Sequence, residues 1–397
     1  MNRLLHLGLG NFARAHVMDY TQDAGGWAVT GVSMRSATIR DGLKAQDFDY
    51  TLRIHGEGDK RIHVIDKVIV APEEGQAVID AIADPNVQVI TMTVTEKGYH
   101  LDADGLLDLA DPMIAREVRG DPLTTAIGFL ANGLGKRATP VTVLSCDNRE
   151  SNGDVLGRAI GDFIDAAGLR MTAEVRFPNS MVDRITPATT DRLRQETGDP
   201  MAVPTEAFRE WVIEDFFVGA RPIWPGVQYV EDVKPHEARK LRMLNGAHSY
   251  LAYAGLLRGH TYVHEAIADP GLRRNAQALM MEAAQTLDPD VQEQAEGYAA
   301  ALLSRFEIPE IAHALRQIAM DGTQKLPYRV IATLRDRTRR NLPSPALTSA
   351  LSAWVTFCRK EVAEGLALQD PMAEDIARDT NAPALLKLIG AEDISVE

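Results

Sequence analysis

One stretch constrains this chain more than any other: Gly8-Leu-Gly10-Asn-Phe-Ala13, set between a short apolar run over residues 3–9 and a helical pattern reaching about Gln22. A strand that meets a helix through G-x-G-x-x-A has few ways to fold. The first glycine makes the tight turn, the second lets backbone approach a pyrophosphate, and the third small residue lets helix pack on strand. The N–H groups and dipole at such a helix start then face the phosphates. A glycine turn can be only a turn, but here it opens the chain and is followed at the expected spacing by a second strand, Trp27–Ser33. That strand should end in Asp or Glu to hold the adenosine ribose of NAD. It reads Val32-Ser-Met-Arg35-Ser-Ala37-Thr38-Ile-Arg40 instead, and Arg35 or Arg40 could meet a 2′-phosphate. The choice between NAD and NADP is open at this point.

Further β-rich runs cover Arg61–Val70, Val87–Thr95, Pro140–Ser145 and Met171–Arg176, separated by helical stretches near 75–83, 122–136 and 154–168. Alternating strands and helices predict an α/β domain with a parallel sheet, whose ligands sit beyond the carboxyl ends of its strands. Two ends carry clustered polar groups, Thr95-Glu96-Lys97-Gly98-Tyr99 and Ser145-Cys-Asp147-Asn148. Asp147 and Asn148 can serve a site or simply form turns and caps. Residues 179–187 read as a loop containing Asp183 and Arg184. Beyond about 200 the strand signals nearly vanish, and helical patterns run over 236–257, 270–286, 291–304, 309–319, 344–363 and 371–389. We therefore expect a Rossmann-type dinucleotide-binding domain over 1–200 and an all-helical substrate and catalytic domain over 201–397.

Composition sets the outer bounds. A 397-residue chain exceeds one usual core, and its net charge of −14 argues against nucleic-acid and anionic-membrane partners while leaving small anionic substrates open. Two distant cysteines, Cys146 and Cys358, with no CxxC or HExxH spacing, suggest neither a disulfide framework nor a metal site. No run of about 18 apolar residues occurs, so a soluble cytoplasmic protein is expected.

The segment Lys240-Leu-Arg-Met-Leu-Asn245-Gly-Ala-His248 reads as a helix. At roughly 100° per residue, Lys240, Glu237, His248 and Asn245 fall near 0°, 60°, 80° and 140° about the axis. Four polar groups thus share one face, which is either a solvated surface or a site.

Taken together, these motifs resemble the polyol-specific long-chain dehydrogenases, the mannitol dehydrogenase family. The likeness rests on Gly8-x-Gly10-x-Phe12-x-Arg14-x-His16, Thr93-Val-Thr95-Glu96-Lys-Gly-Tyr99, Ser145-Cys-Asp-Asn148-x-x-x-Asn152-Gly153, Met181-Val-Asp183-Arg-Ile-Thr, Trp211-Val-Ile-Glu-Asp215, Lys240-x4-Asn245-Gly-x-His248 and Asp321-Gly-x-x-Lys325. It implies an NAD(P)-dependent secondary-alcohol dehydrogenase. Gly8, Gly10, Asn11, Phe12, Arg35, Thr95, Glu96 and Asn148 are the residues it assigns to the cofactor. By the same resemblance Lys240 is the acid/base, Asn148 and Asn245 donate to the alkoxide oxygen, and His248 bonds a substrate hydroxyl. Asp183 orients substrate or lysine, and Glu237 relays protons. A free lysine titrates near about 10.4, so the role requires burial or cationic neighbours. No metal is implied. Gln317 stands where polyol-specific members carry arginine, which inclines the likeness toward the fructuronate reductase branch, acting on hexuronate ketoses and aldonates of the D-fructuronate and D-mannonate type. A polyol–ketose oxidoreductase of the mannitol 2-dehydrogenase kind is the alternative, and a catalytically silent dinucleotide-binding sensor is the alternative of another class. The chain departs from the family pattern in lacking an N-terminal extension and some C-terminal helix, and in carrying Ala37 and Thr38 where acids favour NAD. Oligomeric state is not readable.

Overall fold

The computed structural model describes residues 2–394 other than 103, together with residue 396. It divides into two compact units, Met1–Lys234 and Pro235–Glu397, not near residue 200 as expected.

The first unit is built on a six-stranded parallel sheet. From edge to edge its strands are Ile65–Val70, Trp27–Ser33, Asn2–Leu7, Val87–Met92, Val141–Ser145 and Val175–Arg176. In chain order this is 3-2-1-4-5-6, the doubly wound order of dinucleotide-binding domains. Alternation along each strand sends neighbouring side chains to opposite faces. Leu5, Leu7, Ile90, Met92 and Val143 pack beneath helices Gly75–Ala83, Ala126–Lys136 and Asn152–Ala166. Leu4, Val29, Val68, Val89 and Leu144 form the other face with helix Val17–Ala24.

That second face explains the displaced boundary. It also holds Trp211 and Trp224, both buried with ring centroids 4.6 Å apart, and the Trp224 Nε1–H donates to Thr21 Oγ1 at 3.1 Å. Residues 201–234 thus complete the first core. They contribute strands Val203–Glu206, Glu210–Glu214 and Gln228–Val230, which the sequence reading missed together with Tyr50–His55 and Ser180–Asp183. Val203–Glu206 pairs with Tyr50–His55, and Glu210–Glu214 pairs with Ser180–Asp183 and Gln228–Val230. The expected loop at 179–187 is therefore partly strand.

The second unit is helical. Its centre is Gly246–Leu257, whose residues Gly246 to Gly255 are all buried, as befits a helix apolar on every side. Helices Val263–Ala268, Pro270–Ala284, Leu315–Ile318 and Pro345–Ala363 surround it. Close approach needs glycine: a Cβ on Gly255 would lie 2.7 Å from Leu315 Cδ1, and one on Gly322 2.6 Å from the Tyr253 hydroxyl. Several expected helices are broken. The 309–319 pattern splits into a 3-10 turn and Leu315–Ile318 around Ala312, which is left-handed at φ 45°. The 371–389 pattern splits into Ala373–Arg378 and Ala382–Leu388, the second starting with Pro383 in its first turn, where proline's missing N–H costs nothing. No helix among the described residues is long and apolar enough to cross a membrane.

Candidate active site

In the first unit the site begins at the glycine turn. Gly8 has φ 91°, and a Cβ there would overlap the Thr93 carbonyl oxygen. Only glycine fits, by conformation and by space. Gly10 differs: its φ is −88°, and the nearest atom to a built Cβ is the Gly8 oxygen at 3.9 Å. The protein itself leaves that space open, as a pyrophosphate passing close to the backbone requires. The helix begins at Asn11, and Ala13 is buried against the sheet. The residues present fit a dinucleotide.

The turn is held by a side chain that the sequence reading passed over. His6, fully buried, contacts Thr91 Oγ1 at 2.7 Å and Thr93 Oγ1 at 3.0 Å, and Thr93 Oγ1 donates to the Gly8 carbonyl at 2.7 Å. Burial pushes His6 down to about 4, so it is neutral and ties the turn to the neighbouring strand. A polar residue inside an otherwise apolar strand was its signal.

Asn11 is committed to the scaffold. Its Oδ1 accepts from Arg14 at 2.7 Å and its Nδ2 donates to Thr189 Oγ1 at 3.2 Å. Arg14 also donates to the Met201 carbonyl at 2.6 Å, which gives it an anchoring job. Phe12 stacks on His16 at 5.0 Å and 15°, and His16 is buried. Arg35 is exposed at the tip of the second strand, whereas Arg40 pairs with Asp41 and Glu73.

Asp147 resolves as a tie rather than a cap. It accepts from the Val94 N–H and the Tyr99 hydroxyl, each at 2.8 Å, and from Ser145 Oγ at 3.3 Å. These bonds join the ends of the fourth and fifth strands, bringing exposed Thr95 and Glu96 to the same edge as exposed Asn148. Burial pushes the Asp147 carboxyl up to about 7 against the pull of these donors. Asn152 is structural too: it donates to the Ser180 and Asp147 carbonyls at 2.8 and 3.0 Å and accepts from the Ser180 N–H at 2.9 Å. Asp183 is buried at the end of strand Ser180–Asp183, opposite Glu210. Its neighbour Arg184 is a deep structural cation on Asp19, 2.6 Å away.

In the second unit the expected single helix over 236–257 is three pieces: α over Lys234–Arg239, π over Lys240–Asn245, α over Gly246–Leu257. The Gly246 N–H reaches back five residues to the Leu241 carbonyl, the hydrogen bond that defines a π-turn. Angles computed at an α period therefore fail across it. Lys240 and Asn245, well apart on an ideal α-helix, are one π-turn apart and share a side. Glu237 lies three residues before Lys240, and His248 three after Asn245, both α-helical neighbours. The four form one ladder. Lys240, Glu237 and Asn245 are half-buried, and His248 is buried. Gly246 lets a second π-turn, Pro327–Ile331, come close: a Cβ there would meet the Arg329 oxygen at 3.2 Å. Arg329 itself donates to Ser249 Oγ at 3.2 Å.

His248 packs on Phe306 at 4.6 Å and on His313 at 5.3 Å between ring centroids. Burial holds it well below its ordinary value, and His313, Arg305, Arg329 and Lys240 add to the effect. It is a neutral imidazole whose Nε2 is buried with no hydrogen-bond partner among the described residues. His313 was missed because nothing local marks it. Among the described residues no three His, Cys, Asp or Glu side chains group to hold a metal ion.

A doubly wound domain with an open glycine turn, joined to a helical unit carrying a Lys–Asn–His ladder, defines a two-domain dehydrogenase. Residues 2–226 match the mannitol dehydrogenase Rossmann domain and residues 232–387 the mannitol dehydrogenase C-terminal domain. The chain belongs to the mannitol dehydrogenase family of oxidoreductases. It is 36% identical to the D-mannonate oxidoreductase of Escherichia coli (strain K12) over 95% of this chain and 84% of that protein. It is 35% identical to the mannitol 2-dehydrogenase of Phaeosphaeria nodorum over 94% of this chain and 72% of that one. Its fold is similar to that of Pseudomonas fluorescens mannitol 2-dehydrogenase in ternary complex with NAD and D-mannitol, with a TM-score of 0.81, 30% identity, and 98% and 88% of the two chains covered.

Proposed function

We propose that this chain is an NAD-dependent secondary-alcohol dehydrogenase interconverting a hexuronate ketose and an aldonate of the D-fructuronate and D-mannonate type. The observation that carries the chemistry is the π-turn ladder, which sets an amine, an amide and a neutral imidazole in one row. NAD, when bound, exchanges hydride with the alcohol carbon. Lys240 takes the hydroxyl proton in oxidation and returns it in reduction. Asn245 donates an amide N–H to the oxygen as it becomes an alkoxide, an interaction of about 2.7–4 kcal/mol for a well-placed donor. His248 bonds the reacting or adjacent hydroxyl, and Glu237 passes protons between Lys240 and solvent. From the first unit, Gly8, Gly10, Asn11, Phe12, Thr95 and Glu96 shape the cofactor loops, Arg35 lies at the ribose end, and Asn148 and Asp183 keep the roles of amide donor and orienting carboxylate.

Two observations support the sugar-acid substrate: identity to a D-mannonate oxidoreductase and the cationic neighbours Lys240, Arg305 and Arg329 that act on His248; the family resemblance adds Gln317, next to Arg316, where polyol-specific members carry arginine. Free, buried Cys146 and Cys358 suit a cytoplasmic setting. Steady-state assays with D-mannonate, D-altronate, D-mannitol and D-arabinitol, each with NAD and NADP, test the reading. D-mannonate or D-altronate should give the highest kcat/KM; far better turnover of D-mannitol would replace the sugar-acid reading with the polyol one.

A further inference from the structure

His313 sits in the three-residue link between the 3-10 turn Pro309–Ile311 and helix Leu315–Ile318. That link is clamped on both sides. The Val263 N–H donates to the His313 carbonyl at 3.0 Å, and the Leu315 N–H to the Thr261 carbonyl at 2.9 Å. Ala312 just before it is left-handed, a conformation an alanine keeps only where its surroundings impose it. The clamp thus aims one side chain, and that side chain meets His248 nearly edge to face, at 80° between the rings. Phe306 is also packed on the His248 ring, so the imidazole is gripped. Each histidine keeps one buried nitrogen without a hydrogen-bond partner among the described residues, Nδ1 on His313 and Nε2 on His248. Native interiors rarely leave such atoms unmet unless a bound polar group completes them.

We propose that His313 is a positioning residue for the reaction, fixing the His248 ring by edge-on packing and placing no anion beside it, so that Nε2 stays available to a substrate hydroxyl. This rests on the reading of His248 as a substrate contact. The groups that bear electrostatically on His248 come from four elements: Lys240 from its own helical run, Arg305 from helix Ala295–Phe306, Arg329 from the π-turn Pro327–Ile331, and His313 from the clamped link. Lys240, Arg305 and Arg329 disfavour a further positive charge on His248, and a protonated His313 would do the same. His313 lies outside any helix, so a carboxylate there disturbs neither the proton donor nor a helical run. Burial lowers His313 as well, so it meets His248 as a neutral ring. A carboxylate at 313 would do the reverse and stabilise the imidazolium.

The test compares the parent holoenzyme with His313→Asp, His313→Gln and His248→Asn. It uses D-mannonate or D-mannitol, whichever the parent turns over, and follows the histidines by 15N NMR. In the parent, His248 should not titrate between about pH 5 and 8, the window of an ordinary histidine. In His313→Asp it should titrate inside that window, and kcat/KM should gain an acid-side limb, falling roughly tenfold per pH unit below the new pKa. His313→Gln, uncharged, should keep the parent profile. A parent His248 that titrates near its ordinary value overturns the proposal even if His313→Asp does not fold. So does an identical pH profile in parent and His313→Asp when His248→Asn has lost activity. If His248→Asn leaves kcat/KM unchanged, the substrate-contact reading fails and takes the proposal with it.

Discussion

Lys240 and Asn245 open and close a single π-helical turn, so the five-residue step between them returns to the same side of the helix. An α-helix would turn them well away from each other. With five residues from one to the other, the π-turn is what keeps the ladder in register. Inserting an alanine after Leu241 would make that step six residues, which neither a π-turn nor an α-helix brings back to one side, and should rotate Lys240 out of line. Since misplacement of a reacting group by about 1 Å can cost 10²-fold, kcat should fall at least that far. Lys240→Ala, as control, should lose about 10²–10⁴-fold, the usual worth of a general acid/base. Both variants should still quench NADH fluorescence normally. Retention of parental kcat after the insertion would show that the phasing of Lys240 against Asn245 is incidental.

The two turn glycines should separate folding from binding. Gly8→Ala forces a Cβ into the Thr93 carbonyl at a positive φ, and should prevent stable folding. Gly10→Ala has room in the protein itself and should melt within a degree or two of the parent, a small shift for a small ΔΔG, while NADH affinity drops. Thermal melts with and without NADH check both. An unaltered NADH affinity in Gly10→Ala would place the pyrophosphate elsewhere.

Two buried groups should bend the stability–pH curve in opposite senses. His6, pushed down from 6.5 to about 4, is neutral when folded. Below pH 6.5 the unfolded chain gains a proton that the folded chain refuses, so stability is lost as pH falls from 6.5 toward about 4. At about 1.4 kcal/mol per pKa unit the limit is on the order of 3 kcal/mol. Asp147, pushed up from 3.8 to about 7, holds its proton more tightly when folded. Its contribution is present below about 4 and is lost as pH rises through about 7. Melting temperatures at low salt should show the His6→Asn difference from parent changing on the acid side, between about pH 6.5 and 4, and the Asp147→Asn difference changing between about pH 4 and 7. Differences independent of pH in both variants would contradict the assignments.

Arg35 and Arg40 follow the same strand but stand in different situations. Arg40 is tied to Asp41 and Glu73, while Arg35 is exposed at the tip. If NADP is used at all, Arg35 is the residue placed for its 2′-phosphate. Arg35→Ala should weaken NADPH roughly 10- to 100-fold, the range for a lost charge-assisted hydrogen bond, and leave NADH nearly unchanged. Equal losses for both cofactors would remove Arg35 from that position.

The first unit should stand alone only with its last strands. A chain ending at residue 234 keeps Trp211 and Trp224 in the second core face and should unfold cooperatively. A chain ending at 200 lacks both indoles and should show no cooperative melt. A sharp transition in the shorter chain would return the boundary to 200.

That boundary was not legible in the sequence. The central runs of the parallel sheet, such as Trp27–Ser33, Val87–Met92 and Val141–Ser145, were legible because they are buried on both faces and carry their own pattern. Strands such as Val203–Glu206 and Gln228–Val230, only four and three residues long, leave almost no periodic trace, and the first pairs with Tyr50–His55 far back in the chain. The helical run over 236–257 was legible as helix, but its π-turn was not, since one added residue per turn alters hydrogen bonding without altering composition. Asp147 and Asn152 were seen as motif residues, yet their work as ties between chain segments depends on partners tens of residues away.

What the sequence determined by itself is what depends on local geometry: a glycine turn that no other residue can make, the alternation of strand and helix behind it, and the identities of lysine, asparagine and histidine within one helical run. What only the tertiary structure decided is how those side chains are phased and charged. The i→i+5 hydrogen bonding of the π-turn aligns Lys240 with Asn245, and the packing of Phe306 and His313 on His248 makes it a neutral imidazole. Both follow from burial and from contacts between residues far apart in the chain, which no local pattern encodes.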